Sequence, residues 1–233
     1  HCTIHMFDGS VYRCRMTLKE LKKQLDEGFM EVKRGCMIAV SAISDIGDKI
    51  LLSNGEEICY TKRKKKALRE ELQKKQELMI AKISKKKLPL TPEEYGKYYK
   101  ICDSLPFAFT DIEMVFNEEK KAVDWIFRYG NEALATLEKL PLDKMIGNSF
   151  SSLFSNMDAK WLHVYERATL YGETLEIMDY SPEIDTNLKI ICFPTFPGHC
   201  GCILFNADKM KSISEENHLV RLAAVAMKSN TTI

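Results

Sequence analysis

A single cationic run divides this chain. Tyr60-Thr-Lys-Arg-Lys-Lys-Lys66 leads straight into Ala67-Leu-Arg-Glu-Glu-Leu72 and a charged segment with helical periodicity up to Lys87. Residues 1–87 hold 20 Lys and Arg against 12 Asp and Glu, whereas residues 88–233 hold 14 against 21. The formal net charge of +1 therefore conceals a basic segment followed by an acidic one. A polyanionic partner is to be sought for the first. With 233 residues there is enough chain for two domains, each burying its own core.

Some classes fall away at once. No apolar run approaches the ~20 residues that a membrane span needs, and residues 1–12 show no apolar leader. The eight cysteines have no zinc-ribbon spacing, so they are expected to be reduced and mostly buried, in a soluble cytoplasmic protein. His1 and His5 flank Cys2, but four residues of strand span ~13 Å, too wide for one ion. No metal site is expected.

Before the cationic run the pattern is mostly that of strands. Thr3–Phe7, the Asp8-Gly9 pair and Val11–Met16 read as a hairpin. Thr17 with Glu20 fits a capping box for a helix over Leu18–Leu25, whose Leu18, Leu21 and Leu25 share a face. Phe29–Val40 and Ile43–Ile46 read as buried strand material. Ile50–Leu52, the Ser53-Asn-Gly55 turn and Ile58–Tyr60 make a second hairpin.

That order, with Phe29-Met-Glu-Val-Lys-Arg-Gly-Cys-Met-Ile-Ala39 in its middle and Thr61-Lys-Arg63 at its end, resembles the LytTR DNA-binding domain of bacterial response regulators. The resemblance covers residues 1–66. It implies a β-rich fold whose loops enter successive major grooves of double-stranded DNA. It also implies roles: a base-reading histidine at His1, the signature's His-Arg pair at Lys33 and Arg34, and the arginine after the last hairpin at Arg63. The sequence departs from the family at Ala39, where an asparagine is usual, and by the lack of a strand before His1. Arg63 offers the planar fork that suits a guanine edge. Lys62, Lys64, Lys65 and Lys66 suit phosphates. A lone run of this kind is more often a solvated helix start, and Lys33-Arg34 reads equally as an edge-strand charge pair. It is the match of landmarks that directs both to DNA.

Residues 67–97 form a connecting helix and linker. Leu68, Leu72, Met79 and Ile83 fall in one sector at 100° per residue, a stripe suited to a second helix in a homodimer or to the neighbouring domain. Leu88-Pro-Leu-Thr-Pro92 ends the helix, and Thr91 caps a short one through Cys102.

Residues 98–208 give a hairpin (Phe107–Phe116 with Ala122–Tyr129), a short helix from Asn131, a helix over Trp161–Leu170, and strands at Glu173–Tyr180, Asn187–Phe196 and His199–Phe205. With Arg128-Tyr-Gly-Asn-Glu-Ala133 and Met145-Ile-Gly-Asn-Ser-Phe150, this order resembles a PAS sensor domain. The resemblance implies a five-stranded antiparallel sheet under helices, a tendency to dimerise, and often a small ligand between sheet and helices. Trp125, Phe127 and Phe205 are the candidate pocket residues, although inward aromatics are more often plain core. The flavin-type cysteine motif is absent. His163 is the candidate haem ligand and reads better as a packed helix residue. No cofactor is expected. His199, Cys200 and Cys202 read as core rather than as a metal site.

No nucleophile–base pair, phosphate loop or paired-carboxylate motif is present, so no catalytic residues and no enzyme are expected. Residues 209–233 form a tail in which Leu219, Leu222, Ala223 and Met227 share a helical face. The expectation is an α+β regulator in which a LytTR-like DNA-binding domain is joined to a PAS-like sensory and dimerising domain. The rivals are a signalling adaptor whose first domain contacts protein, and a small-molecule receptor.

Overall fold

The computed structural model describes residues 1–6, 9–86, 90–155 and 159–208. Asp8 of the first turn, Leu88 and Pro89 of the helix stop, and the tail 209–233 lie outside the described residues. The chain divides into two compact units, His1–Met79 and Ile80–Ile233. The fold class is the expected one: mixed helix and sheet, with a small β unit, a long helix and a five-stranded sheet.

In the first unit, β1 (Cys2–His5) and β2 (Val11–Cys14) pair antiparallel, with Cys2 opposite Cys14. Thr17 closes a capping box on α1 (Leu18–Gln24): its hydroxyl oxygen accepts from the Glu20 N–H, and the Glu20 carboxylate accepts from the Thr17 N–H at 2.8 Å. Those bonds hold the Glu20 carboxyl below the usual range. The stretch Phe29–Val40 is not one strand. It folds back at Arg34-Gly35 into β3 (Phe29–Lys33) and β4 (Cys36–Ala39), with Gly35 at φ +79°. A residue with a Cβ resists that left-handed conformation. β5 (Ile43–Ile46), β6 (Ile50–Leu52) and β7 (Glu57–Ile58) complete a three-stranded sheet. Met30, Val32, Ile38, Val40, Ile46 and Ile50 are buried.

Helix α2 (Lys65–Lys86) crosses the division between the units. Its first half is tied to the β unit. Arg69 Nε donates to the Ile46 carbonyl at 2.8 Å, and Lys75 Nζ to the Glu27 carbonyl at 2.8 Å. Leu68 is only 3% exposed, so this member of the apolar stripe is already covered within the single chain. Among the described residues, no helix is long and apolar enough to cross a membrane.

In the second unit, Thr91 closes another capping box, on α3 (Pro92–Tyr98), and a 3-10 segment follows at Lys100–Ser104. The sheet is formed by β8 (Ala108–Phe116), β9 (Ala122–Gly130), β10 (Leu175–Ser181), β11 (Thr186–Pro194) and β12 (His199–Asn206). Its order is β10-β11-β12-β8-β9, antiparallel throughout. Between β9 and β10 run α4 (Glu132–Glu138), α5 (Leu142–Met145), α6 (Phe150–Leu153) and α7 (Ala159–Tyr171).

Strand alternation sends side chains to two separate cores. Trp125, Phe127, Cys192, Cys200 and Cys202 pack with Phe150, Trp161 and Tyr165 on the side of α4–α7. Phe109, Ile191, Phe193, Ile203 and Phe205 pack with Tyr95, Tyr99 and Cys102 on the other. Asn131 joins helix to sheet. Its side-chain oxygen accepts from the Leu134 and Phe109 N–H groups, and its amide donates to the Cys102 and Phe107 carbonyls.

Candidate functional site

The cationic run stands on a pinned turn. Lys62–Lys64 form one 3-10 turn, closed by the Lys64 N–H donating to the Thr61 carbonyl at 2.8 Å. On one flank the Tyr60 hydroxyl donates to the Gly47 carbonyl at 2.6 Å, and on the other Arg69 holds the Ile46 carbonyl. Both anchors lie around the end of β5. Between them Lys62, Arg63, Lys64 and Lys66 are exposed. Lys65 approaches Asp48 at 3.8 Å and Lys66 approaches Glu70 at 3.9 Å, both at exposed positions where such pairs count for little. Among the described residues, no side-chain hydrogen bond or ion pair engages Lys62, Arg63 or Lys64. Three adjacent cations are thus held on a pinned turn with their charge uncompensated by the described residues.

Lys33 ends β3 and Arg34 begins the turn into β4; both are exposed, and neither side chain has a bonded partner among the described residues. His1 is exposed beside β1, where Cys2 is buried. Ala39 pairs with Phe29 at the end of β4 and is half-buried. The three cationic places stand on separate elements, and no hydrogen bond or ion pair among the described residues links one to another.

On the helix side of the second sheet lies a cavity of about 30 Å³. Trp125 and Phe127 line it, with Phe150, Trp161 and Tyr165. Phe205 does not: it sits on the opposite face against Phe107, because Leu204 and Cys202 take the pocket-facing parity of β12. The polar lining is Thr110, Ser181, Cys202, Glu138 and Glu183. His163 is absent from the described lining residues.

The other face carries a buried polar chain that motif reading missed. Asp111, fully buried, accepts from the Tyr99 hydroxyl at 2.7 Å and the Thr195 hydroxyl at 2.5 Å. His199 Nδ1 lies 2.5 Å from its other oxygen. His199 Nε2 lies 3.3 Å from the Tyr95 hydroxyl and 4.0 Å from Glu113, which Arg128 grips at 2.6 Å. Carboxylate, imidazole and hydroxyl stand in the order of a proton relay. However, Tyr95 is 3% and His199 2% exposed, so no substrate reaches the hydroxyl. Burial and the Asp111 charge also push the Tyr99 phenol far above its ordinary range, keeping it a donor. The chain fastens α3 to the sheet. No local spacing announces it, since Asp111 and His199 are 88 residues apart.

Comparison with known proteins decides the first unit. Residues 1–73 match the LytTr DNA-binding domain family. The exposed turn at Lys62–Lys64 and the end of β3 at Lys33 with the Arg34-Gly35 turn both lie within the matched residues. A search of curated proteins found no match. Among solved structures, similar ones include a variant of RsLOV, 13% identical, covering 58% of this chain and 80% of that one at a TM-score of 0.38. The LOV protein of Rhodobacter sphaeroides is 14% identical, covering 57% and 78% at a TM-score of 0.37.

Proposed function

We propose that this chain is a DNA-binding transcriptional regulator, and not an enzyme, whose LytTR domain grips duplex DNA and whose PAS-like unit senses a small ligand and pairs two chains. The observation that carries the reading is the uncompensated Lys62-Arg63-Lys64 turn on a LytTR domain. Like charges fixed side by side repel each other, and a phosphate backbone relieves that repulsion while releasing counterions. Arg63 serves as the base-reading fork, and the lysines as phosphate contacts that set register. Lys33-Arg34 gives a second contact from the β3–β4 turn, and His1 a third.

The half-buried Ala39 in place of the usual asparagine supports one rival, an adaptor whose LytTR domain contacts protein instead. Fluorescence anisotropy with a duplex carrying LytTR-type repeats, against a scrambled duplex, separates the two. Arg63→Ala is expected to lower the preference for the repeat by the ~1–3 kcal/mol that one bidentate base contact contributes. Equal, weak attachment of wild type and variant to both duplexes would favour the adaptor.

A further inference from the structure

The cationic turn is fastened from both sides to one short stretch of backbone. The Tyr60 hydroxyl, two residues before Lys62, donates to the Gly47 carbonyl at 2.6 Å. Arg69 Nε, on the second turn of α2, donates to the Ile46 carbonyl at 2.8 Å. The two acceptors are successive residues at the end of β5, so Lys62, Arg63 and Lys64 lie between two bonds that share one anchor.

The anchor is itself closed. The Gly47 N–H donates to the Lys49 carbonyl at 3.0 Å, and the Ile46 and Ile50 side chains that flank it are buried in the core. Leu68, next to Arg69, is buried too, which docks the start of α2. Tyr60 carries no charge, and Arg69 turns its guanidinium towards the β unit, where Asp45 also lies at 4.0 Å. What both side chains supply to the turn is a fixed position.

That position matters for binding. Three like charges on adjacent residues repel each other and favour an opened turn. Backbone and side chains that must be ordered on contact with a partner subtract from affinity, whereas a group already ordered in the free protein does not. The turn's own backbone bond, from the Lys64 N–H to the Thr61 carbonyl, is a single 3-10 step. The two outer bonds are what keep that step closed.

We propose that Tyr60 and Arg69 are positioning residues for DNA recognition, clamping the Lys62–Lys64 turn to the Ile46 and Gly47 carbonyls so that it meets the duplex preformed. The proposal rests on the DNA-binding reading above and adds two residues that act through the turn instead of touching phosphate or base.

The test is fluorescence anisotropy of the full chain on a labelled duplex over a salt series, with amide hydrogen exchange of the free protein, for wild type, Tyr60→Phe and Arg69→Lys. Both variants keep every charge. Each is expected to lower affinity about three- to tenfold at every salt concentration. The slope of log affinity against log salt should stay as in wild type, because the same phosphates are neutralised. In the free variants the Lys64 amide is expected to exchange severalfold faster, while amides of β3 and β4 keep their protection. Wild-type affinity in both variants, on a duplex the wild type binds, would overturn the positioning role and leave the DNA reading standing. A changed salt slope would overturn it in favour of direct phosphate contact. Faster exchange throughout β3–β6 would overturn it in favour of a purely structural role. Absence of any attachment by the wild type at low salt would overturn both readings together.

Discussion

His199 Nδ1 lies 2.5 Å from the Asp111 carboxylate, and both residues are sealed beneath α3. With Tyr99 and Thr195 on the second carboxylate oxygen, Asp111 is held by three side chains drawn from the end of α3, the β11–β12 connection and β12. A buried carboxylate is tolerable only when it is bonded in this way. The segment before the sheet is thus part of the core of the second unit, with Tyr95, Tyr99 and Cys102 all buried.

Tyr99→Phe should remove one charge-assisted bond and cost the second unit roughly 1.5–3 kcal/mol. Asp111→Ala strands three donors at once and should cost about 3–5 kcal/mol. Both tryptophans, Trp125 and Trp161, lie in this unit, so denaturant unfolding followed by their fluorescence reads it alone. A Tyr99→Phe loss within error of zero would mean that α3 is held by apolar packing alone.

Gly130 ends β9 where the sheet hands over to α4. A Cβ there would meet Leu134 Cδ2 at 2.5 Å and Leu142 Cδ2 at 3.2 Å. Gly130→Ala should therefore overpack the joint and destabilise the unit by about 1–3 kcal/mol in the same unfolding assay.

Glu138 gives the second unit a pH dependence. Its folded-state value of about 7 lies above the ordinary 4.5. The folded state thus keeps a proton that the unfolded chain has already lost. The stability this group contributes is complete below about 4.5 and disappears as pH rises through about 7. A pKa displaced by one pH unit is worth about 1.4 kcal/mol, and because Glu138 is only partly buried the expected fall is roughly 1–3 kcal/mol. Glu138→Gln should flatten this slope in a melting series from pH 5 to pH 8.

The β3–β4 turn offers a separate check on the LytTR loops. Lys33→Ala and Arg34→Ala should each weaken attachment to all duplexes alike if they touch phosphate, and each should lower the slope of log affinity against log salt by about one. Variants that alter preference between sequences instead would make this turn a base reader.

The capping residues explain how much of this is legible in the sequence. Thr17 with Glu20, Thr91 with Glu94, and Asn131 each close the expected helix, because a cap is local chemistry across three or four residues. The fold of both units follows from such landmarks. The Arg34-Gly35 turn escapes the sequence pattern because its apolar flanks read as one buried run. Gly35 is the available signal. Phe205 groups with Trp125 and Phe127 as an aromatic, although period two in Cys200, Cys202 and Leu204 assigns it to the other face. The Asp111–His199 and Glu138–Glu183 pairings have no such signal. They are 88 and 45 residues apart: the β8–β12 register brings the first pair together, and the second meets at one cavity from the end of α4 and the β10–β11 connection.

On the proposed function, the cationic turn of the LytTR domain binds duplex DNA through phosphates. Its most direct test is the anisotropy of the full chain on a labelled duplex over a salt series, for wild type and for Lys62→Ala/Lys64→Ala. A linear fall of log affinity with log salt is expected, at ~0.9 per phosphate neutralised, with a slope smaller by about two in the double variant. No attachment at low salt, or one slope shared by both proteins, would contradict it.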